Sequence, residues 1–353
     1  MRSGGVWILL VIGTTVFAAG GLGQTRNASS RVQVLPNEAE RRVDIVIDGR
    51  PFTSYIWPAT LKKPVLYPLR SAKGTVVTRG YPLEPRPGER VDHPHHAGLW
   101  FNYGNVNGID FWNNSDAIKA ADQPKMGTIR QARILSAKSG ADSGELEVET
   151  EWLNFEKKVM LRETTRFVFR GGADWRSIDR VTTLTAADEK LIFHDDKEGL
   201  LGMRVTRALE MPSKEPLVFT DSSGRATAVA KLDDTGVNGN YLTSEGATGD
   251  AAWGTRGRWC NLSGKVGSEP VTITILDHPA NPGFPAYWHA RGYGLFAVNP
   301  LGAKIFSNGK DEREFTLAPH ESATFRYEVL IREGIASPES TEAAYKKFAS
   351  EYH

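Results

Sequence analysis

Four stretches of this sequence gather side chains that can move protons, hold anions or stack on rings. The first runs from Gly80-Tyr81-Pro82 through Glu89 and Asp92-His93-Pro94-His95-His96 to Trp100, Asn102, Gly104 and Trp112. The second is Phe193-His194-Asp195-Asp196-Lys197-Glu198-Gly199, reaching Arg204. The third spans Gly239 to Gly246 and continues to Trp253-Gly254 and Arg258-Trp259. The fourth covers Asp277-His278-Pro279 to Pro282, then Tyr287-Trp288-His289-Ala290-Arg291-Gly292-Tyr293, with Asn299-Pro300 beyond. Six of the eight histidines (93, 95, 96, 194, 278 and 289) fall inside these stretches, which points to one shared cleft. Imidazole exchanges protons near neutral pH, carboxylates act as bases, and guanidinium groups hold anions or polarised oxygens. Trp and Tyr faces offer flat surfaces to the C–H groups of a sugar ring. The mixture suits a carbohydrate or small polyol better than an apolar ligand.

Each candidate has a functional and a structural reading. If the segment around Pro94 is extended, His93 and His95 project from one face and can share a divalent metal ion, with Glu198, His194 or His289 as a third ligand. The alternative has these histidines bonded to backbone carbonyls, locking a Gly- and Pro-rich loop. Glu198, beside Lys197, is a base, a metal ligand or part of a charged turn. Arg204 and Arg291 clamp a carboxylate or anomeric oxygen, or pair with acidic neighbours on a sheet. Trp100, Trp112, Trp253, Trp259 and Trp288 are core filling or sugar platforms. The sequence has no Gly-x-Ser-x-Gly elbow and no phosphate-binding Gly-Lys loop, and Gly292-Tyr293-Gly294 is too little for a dinucleotide site.

Proton-transfer chemistry on a sugar assigns His95 and His289 to proton exchange, Glu198 to a base or metal-ligand role and Arg291 to the developing oxyanion. Trp100, Trp288, Asn102, Tyr293, Lys197 and Arg204 are then substrate contacts, and His93, His95 and Glu198 the metal candidates. Lyase, hydrolase and epimerase all remain open. The rival class is a non-catalytic carbohydrate-binding protein of the cell envelope.

Positioning such groups requires a large scaffold. The chain has 353 residues, nine Trp and 40% hydrophobic side chains, enough for an extensive core. Its 43 basic and 42 acidic side chains leave a charge of +1, which disfavours nucleic acid as a partner. The single cysteine, Cys260, cannot form an internal disulfide. Arg2, the apolar run Val6–Ala19 and the small residues after it read as a secretory signal over 1–24, too short to span a membrane, implying a secreted or periplasmic protein. Residues 25–353 read as one large domain. Apolar and polar residues alternate over Arg42–Asp48, Gly74–Thr78, Thr128–Ser136, Glu145–Leu153, Lys158–Phe169, Trp175–Leu184, Val271–Leu276, Leu295–Asn299 and Ser322–Ile331. One helix is expected over Glu342–Ala349, capped by Ser340 or Thr341. The expected fold is all-β: a large antiparallel sandwich, supersandwich-like, with a short C-terminal helix.

The sequence resembles the bacterial family DUF6807, also labelled "methane oxygenase PmoA family". The resemblance rests on Asp92-His93-Pro94-His95-His96 with Gly98-Leu99-Trp100, on Lys197-Glu198-Gly199, and on Ser244-Glu245-Gly246 with Trp253-Gly254. It continues through Asp277-His278-Pro279, Trp288-His289, Tyr293-Gly294-Leu295 and Asn299-Pro300. The family's second motif usually reads Asp-Thr-Lys-Glu-Gly, whereas this chain has Asp195-Asp196 before Lys197. The resemblance implies a β-sandwich from bacteria rich in secreted sugar-degrading systems, with no settled reaction. One short apolar run is incompatible with a multi-span membrane monooxygenase. Mutarotases and polysaccharide lyases also build His, Glu and Arg clefts on large sandwiches, an analogy of fold and not of reaction.

Overall fold

The computed structural model describes residue 1 and residues 31–213, 217–221, 223–229 and 233–352. The expected signal, residues 1–24, lies outside the described residues but for Met1. Two eight-stranded antiparallel sheets face each other. The first runs Val32–Asn37, Arg42–Ile47, Arg50–Ile56, Val65–Leu66, Leu99–Tyr103, Gly199–Arg204, Leu295–Asn299 and Tyr287–Arg291 in spatial order. The second runs Asn240–Thr243, Trp259–Val266, Glu269–Asp277, Ser322–Glu333, Trp175–Ala186, Val159–Gly171, Gly144–Leu153 and Thr128–Lys138.

The meander from Thr128 to Ala186 forms because its strands alternate: Gly144–Leu153 buries every second residue and leaves the rest at the surface. The buried rows of both sheets meet in one core, where Phe52 packs edge-on against Phe169 and Phe101 packs at a tilt against Phe325. Each such aromatic contributes roughly 1.5–3 kcal/mol by leaving water.

Three polar, aromatic segments that the pattern leaves irregular are strands at the centre and edge of the first sheet: Leu99–Tyr103, Gly199–Arg204 and Tyr287–Arg291. The first two are buried at every position, so they carry no alternation to read. Conversely, Gly74–Thr78 makes only isolated bridges, Arg70 to Val76 and Thr78 to Val205. The helix begins earlier than expected, at Pro338, and its cap is Ser337, whose side chain accepts from the Ser340 amide at 3.2 Å. Thr341 is instead buried inside the helix, accepting a 2.9 Å bond from Asn261. No helix among the described residues is long and apolar enough to cross a membrane.

Candidate functional site

Side chains of a strand point alternately to its two faces, and this decides what the first sheet presents outward. Leu99, Phe101, Tyr103, Leu201, Met203, Phe296, Val298, Trp288 and Ala290 enter the core between the sheets. Their neighbours in sequence, Trp100, Asn102, Gly202, Arg204, Leu295, Ala297, His289 and Arg291, therefore share the outer face. Loops cover part of that face, and Trp100, Trp112, Val65, Tyr67, Leu295 and Ala297 form a second small core there. Gly202 is needed at this point, since a Cβ would stand 2.8 Å from Trp100. Beside this small core opens a cleft of about 580 Å³, whose lining includes Asp92, His93, Asp250, Trp253, Arg291 and Tyr293.

Asp92 is the electrostatic centre of the cleft wall. Arg204 donates to both its oxygens at 2.7 and 3.0 Å, and Arg79 donates to the first of them. The Nδ1 of His93 stands 3.3 Å from the second. Burial alone would raise the Asp92 carboxyl, but the hydrogen bond from His93 and the charges of Arg204 and Arg79 outweigh it and hold the group well below the usual carboxylate range. Both guanidinium groups are wholly buried, whereas Asp92 keeps 24% of its side chain exposed. Burial and the neighbouring Arg204 bring Arg79 down to about 9.

His93 is exposed and adopts a left-handed backbone, φ 43°, so the extended His93-x-His95 segment does not exist. Four rings stack in parallel from the cleft inward: Tyr293 on His93 at 5.4 Å, His93 on His96 at 4.8 Å, and His96 on Trp100 at 5.0 Å. Stack and carboxylate together fix the His93 ring. His96 accepts from Arg204 through Nδ1 at 3.3 Å, so its proton resides on Nε2.

The second group lies further along the same face. His289 Nδ1 donates to the Lys197 carbonyl at 3.1 Å, with a Glu198 oxygen 3.9 Å away. That bond leaves Nε2 as the bare acceptor of a neutral ring. Burial, then the charges of Lys197 and Arg291, push the His289 pKa down to about 3. The Glu198 carboxylate pairs with Lys197. Asp196 accepts from the Glu198 amide at 2.9 Å, a bond that closes the turn. Asp195 ties the turn to the backbone N–H groups of Ala303, Lys304 and Arg313.

Several expected roles change on this geometry. His95 does not line the cleft: it faces a pocket of about 10 Å³ with Lys62, Lys63 and Asn114, and burial and Lys63 push its pKa down to about 2. Trp100 and Trp288 are fully buried on opposite faces of the sheet and cannot carry a sugar ring. Asn102 is buried and donates to the Phe111 carbonyl at 2.6 Å. Arg204 and Lys197 serve Asp92 and Glu198 respectively. Among the described residues, no three of His, Cys, Asp and Glu are grouped as metal ligands, so His93, His95 and Glu198 do not form such a set. His194 sits at the surface near Glu314, 3.5 Å away. In the third stretch only Trp253 reaches the cleft, while Arg258 pairs with Glu245 and with Glu342 of the helix. Asp277 and His278 are also structural, binding Asn281 and the Glu351 carbonyl.

Arg291 and Tyr293 both line the cleft. The Arg291 guanidinium lies over the Trp253 and Tyr293 rings, 5.6 and 5.7 Å from their centroids. Asp92 and Asp250, which line the cleft, and Arg79, which holds Asp92, are not marked as site residues by the sequence. No local signal marks Arg79, because its role exists only once Arg204 and Asp92 converge on it.

The model of a family of unknown function, DUF6807, matches residues 42–346. The chain belongs to this family. No curated protein matches the sequence. Among solved structures, this DUF6807 chain is similar to a galactose mutarotase-like protein from Clostridium acetobutylicum, with 11% identity, 86% of this chain and 99% of that one covered, and a TM-score of 0.42. Galactose 1-epimerase from Lactobacillus acidophilus gives 8% identity, 87% and 100% coverage, and a TM-score of 0.40. An α-galactosidase from Geobacillus stearothermophilus gives 12% identity, 85% coverage of this chain but 41% of that one, and a TM-score of 0.36.

Proposed function

We propose that this DUF6807 protein binds a sugar or small polyol in the cleft and transfers protons on it. The observation that carries the reading is His93, oriented by Asp92 in the cleft wall with Arg291 and Tyr293, and a second histidine, His289, on the same sheet face two residues from Arg291, bonded to the Lys197 carbonyl with Glu198 3.9 Å away. His289, neutral and free at Nε2, accepts a proton or a hydroxyl hydrogen bond. His93, oriented by Asp92 and the ring stack, exchanges the second proton. Arg291 holds the oxygen on which charge develops, and Tyr293 and Trp253 supply the ring surface.

Both carboxylates are committed, Asp92 to two guanidinium groups and Glu198 to Lys197. That favours isomerisation or elimination over hydrolysis by two free carboxyl groups.

The test is a panel of reducing sugars and glycosides followed by NMR for anomer exchange, epimerisation and elimination, with wild type, His93→Gln and His289→Gln. Turnover should fall by about 100-fold or more in each variant, with little change in the thermal midpoint. Unchanged turnover in both variants refutes the assignment. Sugar binding without any turnover by wild type replaces it with a carbohydrate-binding protein.

A further inference from the structure

The charges around the cleft do not balance, and the imbalance has one sign. Lys197 has Glu198, and Arg90 and Arg207 have Glu210 and Asp234. Arg79 and Arg204, both fully buried, share the single carboxylate of Asp92. Each also has a buried Nε with no hydrogen-bond partner among the described residues. The remaining compensation is indirect: carbonyls of Arg90, His93 and His96 accept from Arg79, Tyr293 lies under the Arg204 guanidinium at 4.7 Å, and the nearby carboxylates of Glu210 and Glu89 are already paired with Arg90, Arg207 and Arg86. In front of this pair stands Arg291, exposed, lining the cleft and without an acidic partner among the described residues. The rim carboxylate of Asp250 lies by Gly292 and makes no ion pair with it.

Burying two guanidinium groups against one carboxylate is costly unless another anion approaches, and an exposed arginine between two ring faces is held where it can meet one. We infer that the cleft takes a sugar bearing a carboxylate, a uronic acid or its glycoside, with the carboxylate on Arg291 and the ring against Tyr293; this rests on the sugar reading above. A planar guanidinium matches a carboxylate through two parallel hydrogen bonds. The surplus positive charge behind it supplies the long-range attraction and rejects no neutral sugar outright. The preference is therefore a ratio of affinities and not an absolute requirement.

Titration calorimetry at low and high salt would use D-glucuronate and D-galacturonate against D-glucose and D-galactose, with glucose 6-phosphate as a second anion. Wild type should bind a uronate about 10-fold or more tighter than its neutral counterpart, with the advantage shrinking in salt. Arg291→Gln should bring that ratio close to one, and Arg291→Lys should retain part of it. Equal binding of uronate and neutral sugar, an Arg291→Gln ratio like that of wild type, or preference for the sugar phosphate overturns the carboxylate assignment while leaving the sugar reading intact. Failure of every sugar to bind overturns both.

Discussion

Replacing Asp92 by Asn removes the carboxylate shared by two buried guanidinium groups and leaves the shape of the site almost unchanged. Removing one partner of a buried ion pair costs about 3–5 kcal/mol, because the other charge stays buried and unpaired. Asp92 keeps 24% of its side chain in contact with solvent, so the lower end, about 3 kcal/mol, is the expected loss at pH 7. For a chain of this size that is a fall of roughly 4 °C in the unfolding midpoint. The pH dependence has a definite sign. The folded carboxyl titrates far below the unfolded value of about 3.9, so its stabilisation is complete above that pH and drains away as pH falls toward the folded value. Asn has no such titration, and the gap between wild type and variant should close by about 1.4 kcal/mol per pH unit below about pH 4. Urea unfolding followed by Trp fluorescence at pH 7, 5, 4 and 3 measures the gap. A gap below about 1 kcal/mol at pH 7, or one that stays constant down to pH 3, refutes the charge argument.

Two further changes probe the groups packed around the cleft. Gly202→Ala places a Cβ 2.8 Å from Trp100 and 3.0 Å from Trp112, and overpacking should cost about 1–3 kcal/mol with altered near-UV circular dichroism; a silent variant would mean the two indoles are not held tightly against the strand. Lys63 is buried under Trp100, its ammonium donating to the His95 carbonyl at 2.8 Å, and burial lowers its pKa to about 7. Between pH 7 and the unfolded value of about 10.4 the unfolded chain binds the proton and the folded one does not, so stability should rise with pH in that window. Lys63→Met should lose about 2 kcal/mol of that rise between pH 7 and 9 relative to wild type, and identical slopes for the two proteins would refute it.

Much of the scaffold is written locally. Strands with one wet face, such as Arg42–Ile47 and Gly144–Leu153, declare themselves by alternation, and turn residues such as Asp48-Gly49 punctuate the chain. Chemistry-bearing types cluster visibly too, and two of them, Arg291 and Tyr293, line the cleft. Sequence alone thus determined an all-β sandwich and membership of the DUF6807 family, and it marked the segments from which Asp92, His93, Trp253, Arg291 and Tyr293 come to line the cleft.

Tertiary structure decided which of neighbouring, chemically similar residues faces the cleft. His93, His95 and His96 look alike in sequence, yet a left-handed residue at 93 exposes one ring, turns the next toward Lys63 and inserts the third between His93 and Trp100. Trp100 and Trp288 were legible as core filling or as platforms, and the sequence could not choose because strands covered on both faces have no period-two signature; both are buried. The partners of Asp92 lie 13 and 112 residues away, on separate segments. Pairing of that kind is a property of sheet order and strand register, which no local pattern encodes.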